Sequence, residues 1–208
     1  MKSTRRAILL LIACGTTLTA CQSLKDITSA LSSFQQLQFK LGEVNNFRLA
    51  GVDISRLANP TSLGISEAAK LLSAYQRDEI PVSFRLNVEA KNPNDGSART
   101  GGADLFVKKM VWTLYIDDKK TIDGTVSKKL RIPANGATEI IPIDIGLDLV
   151  DFFGDRGYED LLNLAFAIGG VDGSSSKLRL GARVTVETPL GDVEYPDELT
   201  IINSSFTN

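Results

Sequence analysis

The sequence predicts a mainly β protein, an antiparallel β-sandwich with a few short helices. The clearest observation is residues 79–94, where apolar and polar side chains alternate strictly from Ile80 to Ala90. A period of two is typical of a strand with one face on a core and the other in water. Residues 177–188 alternate just as regularly, and further short runs are separated by Gly, Pro, Asn and Asp. Together these runs could complete a sandwich around the first strand.

The first twenty residues resemble a bacterial secretory signal. A basic head over residues 2–6 precedes an apolar run over residues 7–13, which is too short for a membrane-spanning helix. The adjacent arginines at positions 5 and 6 also resemble a twin-arginine motif, so the general and twin-arginine export routes both stay open. Either route predicts that residues 1–20 are removed on export.

The signal ends in Leu-Thr-Ala-Cys at residues 18–21, which resembles the lipobox of bacterial lipoproteins. By that resemblance Cys21 is diacylated, becomes the new N-terminus, and is usually acylated again. Several acyl chains anchor a protein permanently, since each buried methylene contributes about 0.8 kcal/mol. Gln22 stands where an Asp would favour the inner membrane, which implies the outer membrane, with its periplasmic face favoured over the cell surface. The alternative is that Ala20 merely satisfies a small-residue cleavage rule and Cys21 is incidental.

Cysteine, charge and histidine content exclude several function classes. After cleavage Cys21 is the sole cysteine, so no disulfide and no free thiol are expected. Three of the 23 basic residues and none of the 25 acidic ones lie in residues 1–20, which leaves 20 against 25 and a net charge of −5. An exported, acidic chain argues against nucleic acid as a partner. The absence of histidine excludes imidazole-based metal sites and Ser-His-Asp catalysis.

Residues 21–36 are predicted to form a lipidated tether, residues 37–203 the sandwich domain and residues 204–208 a C-terminal tail. Apolar residues from Leu24 to Phe34 recur at spacings of three and four, which favours a short helix that acts as a spacer or docks on the domain. A mobile tether with a few apolar residues is the alternative.

The domain begins with a predicted strand pair and a helix. Alternation over residues 37–41 and again over residues 44–54, interrupted at Gly42, predicts two strands that pair with each other. After a loop, good helix formers over residues 66–75, with Ser66 as the expected N-cap, predict a helix that covers one end of the sandwich.

The next strand is predicted over residues 103–117, with a change of parity near Lys108 that indicates a β-bulge. Trp112, the sole tryptophan, is expected to anchor the core. Residues 117–120 read as a hairpin turn, and Gly124 on the returning strand is expected to mark a bulge or a bend.

The last part of the domain mixes strands and helices. Residues 139–147 alternate, and Pro142 within them predicts an edge position or a bulge because proline cannot donate to a ladder. The period then changes over residues 148–168, which predicts a short helix, a turn and a second helix ended by glycines. Residues 177–188 and 193–202 are predicted as the final two strands.

Several of these segments resemble the LEA type 2 family, also called the water-stress and hypersensitive-response (WHy) domain. They are the strand that runs into Asn92-Pro93-Asn94, WTLYIDDKKTIDG at residues 112–124, Ile-Ile-Pro-Ile at residues 140–143, and LRLGARVTVETPLGDVEYP at residues 178–196. The resemblance spans residues 37–202 and implies an immunoglobulin/fibronectin-III-like sandwich. The predicted helices over residues 66–75 and 148–168 depart from the family pattern.

The resemblance also implies a kind of function. The family is linked to desiccation and stress tolerance and to chaperone-like protection of other proteins, and it offers no catalytic residues. Asn92, Pro93 and Asn94 match its most recognisable motif, for which we expect a structural role. We therefore expect a non-enzymatic, lipid-anchored envelope protein that is stress-protective or protein-binding, with no cofactor and no metal, and the sequence identifies no small-molecule substrate. The alternative is an accessory lipoprotein that acts as an adaptor in an envelope assembly or transport machine.

An acidic run is the one segment that could carry other chemistry. Its members are Asp144, Asp148, Asp151, Asp155, Glu159 and Asp160. Such carboxylates could bind calcium or form a glycosidase-like pair. The favoured interpretation is that they are N-cap and first-turn residues of the two predicted helices, together with a solvated face, since the helix dipole favours acidic groups there. No spacing among them matches an EF-hand loop.

Overall fold

The computed structural model describes residues 37–57, 60–93, 104–170, 177–188 and 191–203. Ten strands, three α-helices and a 3-10 turn lie in these ranges. The strands are β1 (Gln38–Leu49), β2 (Val52–Asp53), β3 (Pro81–Lys91), β4 (Leu105–Ile116), β5 (Lys119–Val126), β6 (Leu130–Ile132), β7 (Thr138–Asp148), β8 (Leu178–Thr188), β9 (Gly191–Glu194) and β10 (Leu199–Ile201). The helices are α1 (Ile65–Tyr75), α2 (Leu149–Phe153) and α3 (Tyr158–Ile168), and the 3-10 turn is Pro60–Ser62.

The strands form two antiparallel sheets. The first has the order β2-β1-β3-β7, and the second has the order β10-β8-β4-β5, with β6 paired to β4 and β9 paired to β8. Leu41 N–H donates to the carbonyl of Ile202 at 2.9 Å, so β1 meets the chain just after β10 along one side. The predicted mainly β, antiparallel sandwich with a few short helices is confirmed.

The core lies between the inward faces of the two sheets. The alternation predicted over residues 79–94 and 177–188 is confirmed, because the inward residues of β3 and β8 are buried. They are Val82, Phe84, Leu86, Val88 and Ala90 on β3, and Leu180, Ala182, Val184 and Val186 on β8. Phe47 of β1 stacks on Phe84 with ring centroids 5.3 Å apart. Trp112 is 6% exposed, which confirms its predicted place in the core.

The sequence predicts two strands over residues 37–54 with the break between them at Gly42, and this position of the break is wrong. Gly42 does not separate two strands but lies in a bulge of the continuous strand β1, where the register with β3 shifts between Leu41 and Val44. The chain reverses at Ala50 and Gly51, whose φ angles are 45° and 78°. Positive φ at both central residues is the geometry of a two-residue hairpin turn. Alternation of apolar residues alone does not distinguish a bulge from a turn.

β7 is an edge strand, which confirms the prediction from Pro142. Leu149 N–H donates to the Ile80 carbonyl at 2.9 Å, and this bond identifies which residue pairs of β3 and β7 are hydrogen-bonded. Hydrogen-bonded and non-hydrogen-bonded pairs alternate along an antiparallel ladder. Pro142, opposite Asn87, therefore falls in a non-hydrogen-bonded pair, and its nitrogen faces the open edge. The missing N–H consequently costs no bond to β3.

The helices begin close to where they were predicted. The N-cap of α1 is Gly64 rather than Ser66, and the Gly64 N–H donates to Glu67 Oε2 at 2.9 Å. The cap lies earlier because Glu67 then occupies the third helical position, from which a carboxylate reaches back to the cap. The short helix, turn and second helix predicted over residues 148–168 are confirmed as α2 and α3.

The final strand predicted over residues 193–202 is wrong, because the structure has two short strands there. β9 pairs with the end of β8 and β10 with its beginning, so the chain returns along one neighbour in two steps. Between them the Tyr195 N–H donates to the Val184 carbonyl at 2.8 Å, which keeps the interrupted segment attached to β8.

The two ends of the sandwich differ. We call the end where β1 and β7 finish and β3 begins the helical end, because α1 packs on β2 there and α2 follows β7 directly. Residues Gln38 and Asn92 lie at the opposite end. None of the helices in the described ranges combines the length and apolar character needed to cross a bilayer.

Candidate functional site

Two of the residues singled out in the sequence lie outside the described ranges. They are Cys21 and Asn94. Asn92 and Pro93 follow β3 at the end opposite α1, and Asn92 is fully buried. The Asn92 carbonyl accepts the Gly136 N–H at 3.1 Å, which joins the segment after β3 to the turn before β7. Gly136 has a φ of 72°, a conformation that favours glycine.

The acidic run does not gather around one point. Asp148 is the N-cap of α2, and its Oδ1 accepts the N–H of Val150 at 2.9 Å and that of Ile80 at 2.8 Å. Asp144 accepts two bonds from Arg85, at 2.7 and 3.1 Å, and the Arg85 guanidinium holds the pKa of the Asp144 carboxyl below its usual range. The other members in helices, Asp151, Glu159 and Asp160, lie in first turns. The described residues contain no group of three His, Cys, Asp or Glu side chains that could hold a metal ion.

A helix face without a partner in the described structure is the first candidate site. Ile65 is 93% exposed and Leu72 is 44% exposed, and Ala69 lies between them on α1. Spacings of four and three residues put these side chains on one face of a helix. We call this face the α1 surface. Leu71 and Ala74, on another face of the same helix, are buried against the sandwich.

A shallow depression of about 440 Å³ adjoins the α1 surface. Its lining residues come from the β1–β2 turn, from α1 and from just beyond the helix: Ala50, Ser66, Ala69, Lys70, Ser73, Ala74 and Arg77. The Arg77 guanidinium donates to Ser73 Oγ at 2.9 Å and lies 3.7 Å from Glu79, whereas Lys70 is exposed. The α1 surface is therefore an apolar stripe whose margin carries Lys70 and an Arg77 that is paired with Glu79.

A cavity of about 360 Å³ between β1 and α3 is the second candidate site. We call it the β1–α3 cavity. The apolar residues around it are Leu41, Val44, Leu86, Ala167, Ile168 and Leu178, of which Leu41, Leu86 and Ile168 are at most 2% exposed. Glu43 and Asn203 supply polar side chains, and among the described residues that line the cavity Glu43 carries the one charge. The cavity therefore presents at least as much polar as apolar surface, beside an acidic rim.

The cavity follows from two local features of the chain. The bulge in β1 inserts Gly42 and Glu43 where β3 has the single residue Asn87, so this part of β1 is displaced from a regular ladder. On the opposite wall, α3 ends at Gly169 and Gly170. A Cβ on Gly169 would lie 3.3 Å from Ile54 Cδ1 and 3.4 Å from Phe47 Cγ, so glycine allows the helix end to approach β1 closely.

No family model and no curated protein matches the chain. Two solved structures show a remote likeness. One, from solution, is of a protein provisionally named as late embryogenesis abundant (LEA), 13% identical, with a TM-score of 0.35 over 89% of this chain and 85% of the other. The second is a crystal structure of a protein from Archaeoglobus fulgidus, 12% identical, with a TM-score of 0.33 over 60% of this chain and 82% of the other.

Neither candidate site was predicted from the sequence. The α1 helix was expected to cover one end of the sandwich, and its pattern gives apolar residues on two faces. A signal was therefore present, since a helix that only covers a core has one apolar stripe. The cavity had no comparable signal. Gly42 interrupts the alternation in the sequence, but its position opposite the end of α3 depends on contacts between distant segments.

Proposed function

We propose that the protein is a non-enzymatic, lipid-anchored protein of the bacterial outer membrane that protects other proteins under stress by binding them at the α1 surface. The observation that carries the proposal is the exposure of Ile65 and Leu72 on one face of α1. Contiguous exposed apolar side chains with a polar margin are typical of protein interaction sites.

The position of the α1 surface supports a partner in the periplasm. The tether enters the domain at β1, whose 12 residues span about 40 Å and end close to α1. With Cys21 acylated and residues 22–36 reaching up to about 50 Å when extended, the domain can stand off the membrane. The α1 surface lies at the end of β1 away from the tether. A net charge of −5 for the mature chain also disfavours lying flat on anionic lipid.

The size of the α1 surface favours transient binding. Burying a fully exposed Ile or Leu side chain contributes about 1.5–3 kcal/mol, and Leu72 is only 44% exposed, so Ile65 and Leu72 together contribute about 2–4 kcal/mol. The loss of translational and rotational freedom on association opposes this with about 4 kcal/mol or more. Weak, reversible contacts with many clients fit these magnitudes better than one stable complex.

The test is a client-aggregation assay with matched variants. We expect the purified protein to reduce aggregation of a heat- or freeze-stressed enzyme, and we expect Ile65→Ser/Leu72→Ser to lose most of that protection. The control is Val111→Ser/Ile140→Ser, because Val111 and Ile140 are 38% and 42% exposed on other elements. No protection by the wild type at stoichiometric excess, or equal loss in both double variants, would refute the proposal.

A second candidate function is an adaptor in an envelope assembly. The exposed Lys70 on the margin of the α1 surface favours it, since charge complementarity gives specificity for one partner. A photo-crosslinking residue in place of Ile65 would return one stoichiometric envelope protein if the adaptor function holds. A broad set of products would instead support client binding.

The anchor has its own test. Metabolic labelling with a palmitate analogue should mark the protein, and the label should sediment with outer-membrane fractions. Cys21→Ala should lose the label. Label that persists in Cys21→Ala, or a wild-type protein without label, would contradict lipidation at this residue.

A further inference from the structure

We propose that Asn135 is a site of spontaneous deamidation, and that the fold restrains the reaction through the hydrogen bond from the Gly136 N–H to the Asn92 carbonyl. This covalent modification site lies in the turn between β6 and β7. It is at the end of the sandwich opposite α1, so it does not depend on the function proposed for the α1 surface.

The reaction needs only Asn135, Gly136 and water. The Gly136 main-chain nitrogen loses its proton to solvent base and bonds to Cγ of Asn135, while the bond from Cγ to the side-chain nitrogen breaks. That side-chain nitrogen takes up a proton and leaves as ammonia, which gives a cyclic imide. Water then adds to either imide carbonyl and opens the ring to aspartate or isoaspartate, so the turn gains a carboxylate.

Sequence and exposure single out Asn135 among the asparagines. It is followed by glycine, and no other asparagine in the sequence is. Glycine lacks a Cβ and has wide freedom in φ and ψ, so it hinders the approach of its nitrogen least. Asn135 is also exposed in a turn, where solvent reaches it. Asn87 and Asn163, by contrast, lie within a strand and a helix and precede bulky apolar residues.

The folded turn holds both reacting groups in hydrogen bonds. The Gly136 N–H, which must lose its proton, donates to the Asn92 carbonyl at 3.1 Å. The Asn135 Oδ1 accepts the Ala137 N–H at 2.9 Å, which limits rotation of the carboxamide that is attacked. The attack therefore requires this turn to open, and such local openings cost less than unfolding of the whole domain. The segment Asn92-Pro93 is thereby the restraint on the reaction.

A comparison of deamidation rates in the folded and the unfolded chain tests the inference. The protein is the whole chain from residue 21, carrying Cys21→Ser so that no detergent is needed, and it is aged at mildly alkaline pH. Trypsin, which cleaves after Lys and Arg, releases residues 132–156, and Asn135 is the sole asparagine of that peptide. The mass gain of deamidation is therefore assigned to one residue.

We expect this mass gain to appear at least about fivefold more slowly in buffer than in guanidinium chloride at the same pH, because the folded turn keeps the Gly136 proton bonded. Sodium chloride at equal concentration is the control for ionic strength. Equal rates in the folded and the unfolded chain, or no mass gain in the unfolded chain, would overturn the inference.

A pair of variants locates the restraint. Pro93→Ala returns to the segment the backbone freedom that the proline ring removes, so it should speed deamidation of Asn135 by about twofold or more. Gly124→Ala is the control, because it disturbs the packing of Trp112 between β4 and β5 instead. No acceleration in Pro93→Ala, or equal acceleration in both variants, would overturn the inference.

Hydrogen exchange is a second measurement, which needs no variant if Pro93→Ala fails to fold. The Gly136 amide of the folded chain should exchange at least about fivefold more slowly than that of the unfolded chain, because its proton is bonded to the Asn92 carbonyl. A Gly136 amide that exchanges as fast in the folded chain as in the unfolded one would overturn the inference.

Discussion

Replacing Gly124 by alanine should destabilise the domain, although the same change within a strand commonly stabilises by about 0.5–1 kcal/mol. Gly124 lies opposite Trp112 in the β4–β5 pair. A Cβ at Gly124 would lie 2.4 Å from Trp112 Cζ2 and 2.8 Å from Cε2. Carbon atoms in contact are about 3.5–4.0 Å apart, so the indole would have to move by about 1 Å. The sequence predicts a bulge or a bend at Gly124, whereas in the structure the absence of a side chain at Gly124 leaves room for the indole ring of Trp112.

The magnitude follows from two opposing terms. Forcing extra volume into a packed core costs about 1–3 kcal/mol, and the propensity gain offsets about 0.5–1 kcal/mol of it. We expect a net loss of about 1–2 kcal/mol in the free energy of unfolding. For a domain of this size that lowers the melting temperature by about 2–8 °C. Because Trp112 is the sole tryptophan, its emission should also report the displaced ring directly.

The assay is a double-mutant cycle read by circular dichroism during urea unfolding. Trp112→Phe removes the benzo ring that the new Cβ would meet, so Gly124→Ala should cost clearly less in that background, with a coupling of about 1 kcal/mol. If Gly124→Ala is neutral in the wild type, or costs the same in both backgrounds, the packing explanation is wrong.

Three further outcomes are expected. Asp148→Ala should lower the free energy of unfolding by about 1–3 kcal/mol in urea, because one carboxylate oxygen of Asp148 caps α2 and also accepts the Ile80 N–H. Asp151→Ala, in the first turn of α2, is the control. An equal loss of stability in Asp151→Ala would contradict the capping role of Asp148. Burial raises the pKa of Tyr195 to about 12, above its ordinary value of 10.0. The contribution of the Tyr195 hydroxyl to the free energy of unfolding is therefore complete below pH 10 and is lost as the pH rises to about 12. Tyr195→Phe should flatten that part of a plot of melting temperature against pH. An unchanged slope in Tyr195→Phe would contradict this role of the Tyr195 hydroxyl. Pro93→Ala should mainly lower the melting temperature, whereas a normal melting temperature with lost client protection would show that the motif is functional.

The strands were predictable wherever burial of one face decides the local pattern. Residues 79–94 alternate because β3 lies between two neighbours with one face on the core, and Pro142 marked the edge because its missing N–H is tolerated there. The continuous strand β1 was not predicted, because a bulge interrupts the alternation of apolar residues in the same way as a turn does. The split of the last strand into β9 and β10 was missed for a related reason, as both halves keep the apolar residues that one strand would have.

The candidate sites depend on packing between distant segments, and this is why the sequence did not predict them. Glu43 and Gly169 are separated by most of the domain in sequence, yet both line one cavity. The exposure of Ile65 is likewise a property of how α1 sits on the sandwich. The local sequence predicts that a helix forms here, but not which side of it is covered.

The orientation of Pro142 has a consequence for copies of the protein that share a membrane. Anchoring by acyl chains would confine the domains to a plane, where neighbours collide often and with restricted orientations. A bare strand edge under such crowding can recruit the edge of another copy and extend one sheet through several molecules. At Pro142 such a growing ladder would lack a donor, and the proline ring stands where the next strand would have to lie. Pro142 thus favours separate domains on the membrane over a fibre built from one continuous sheet.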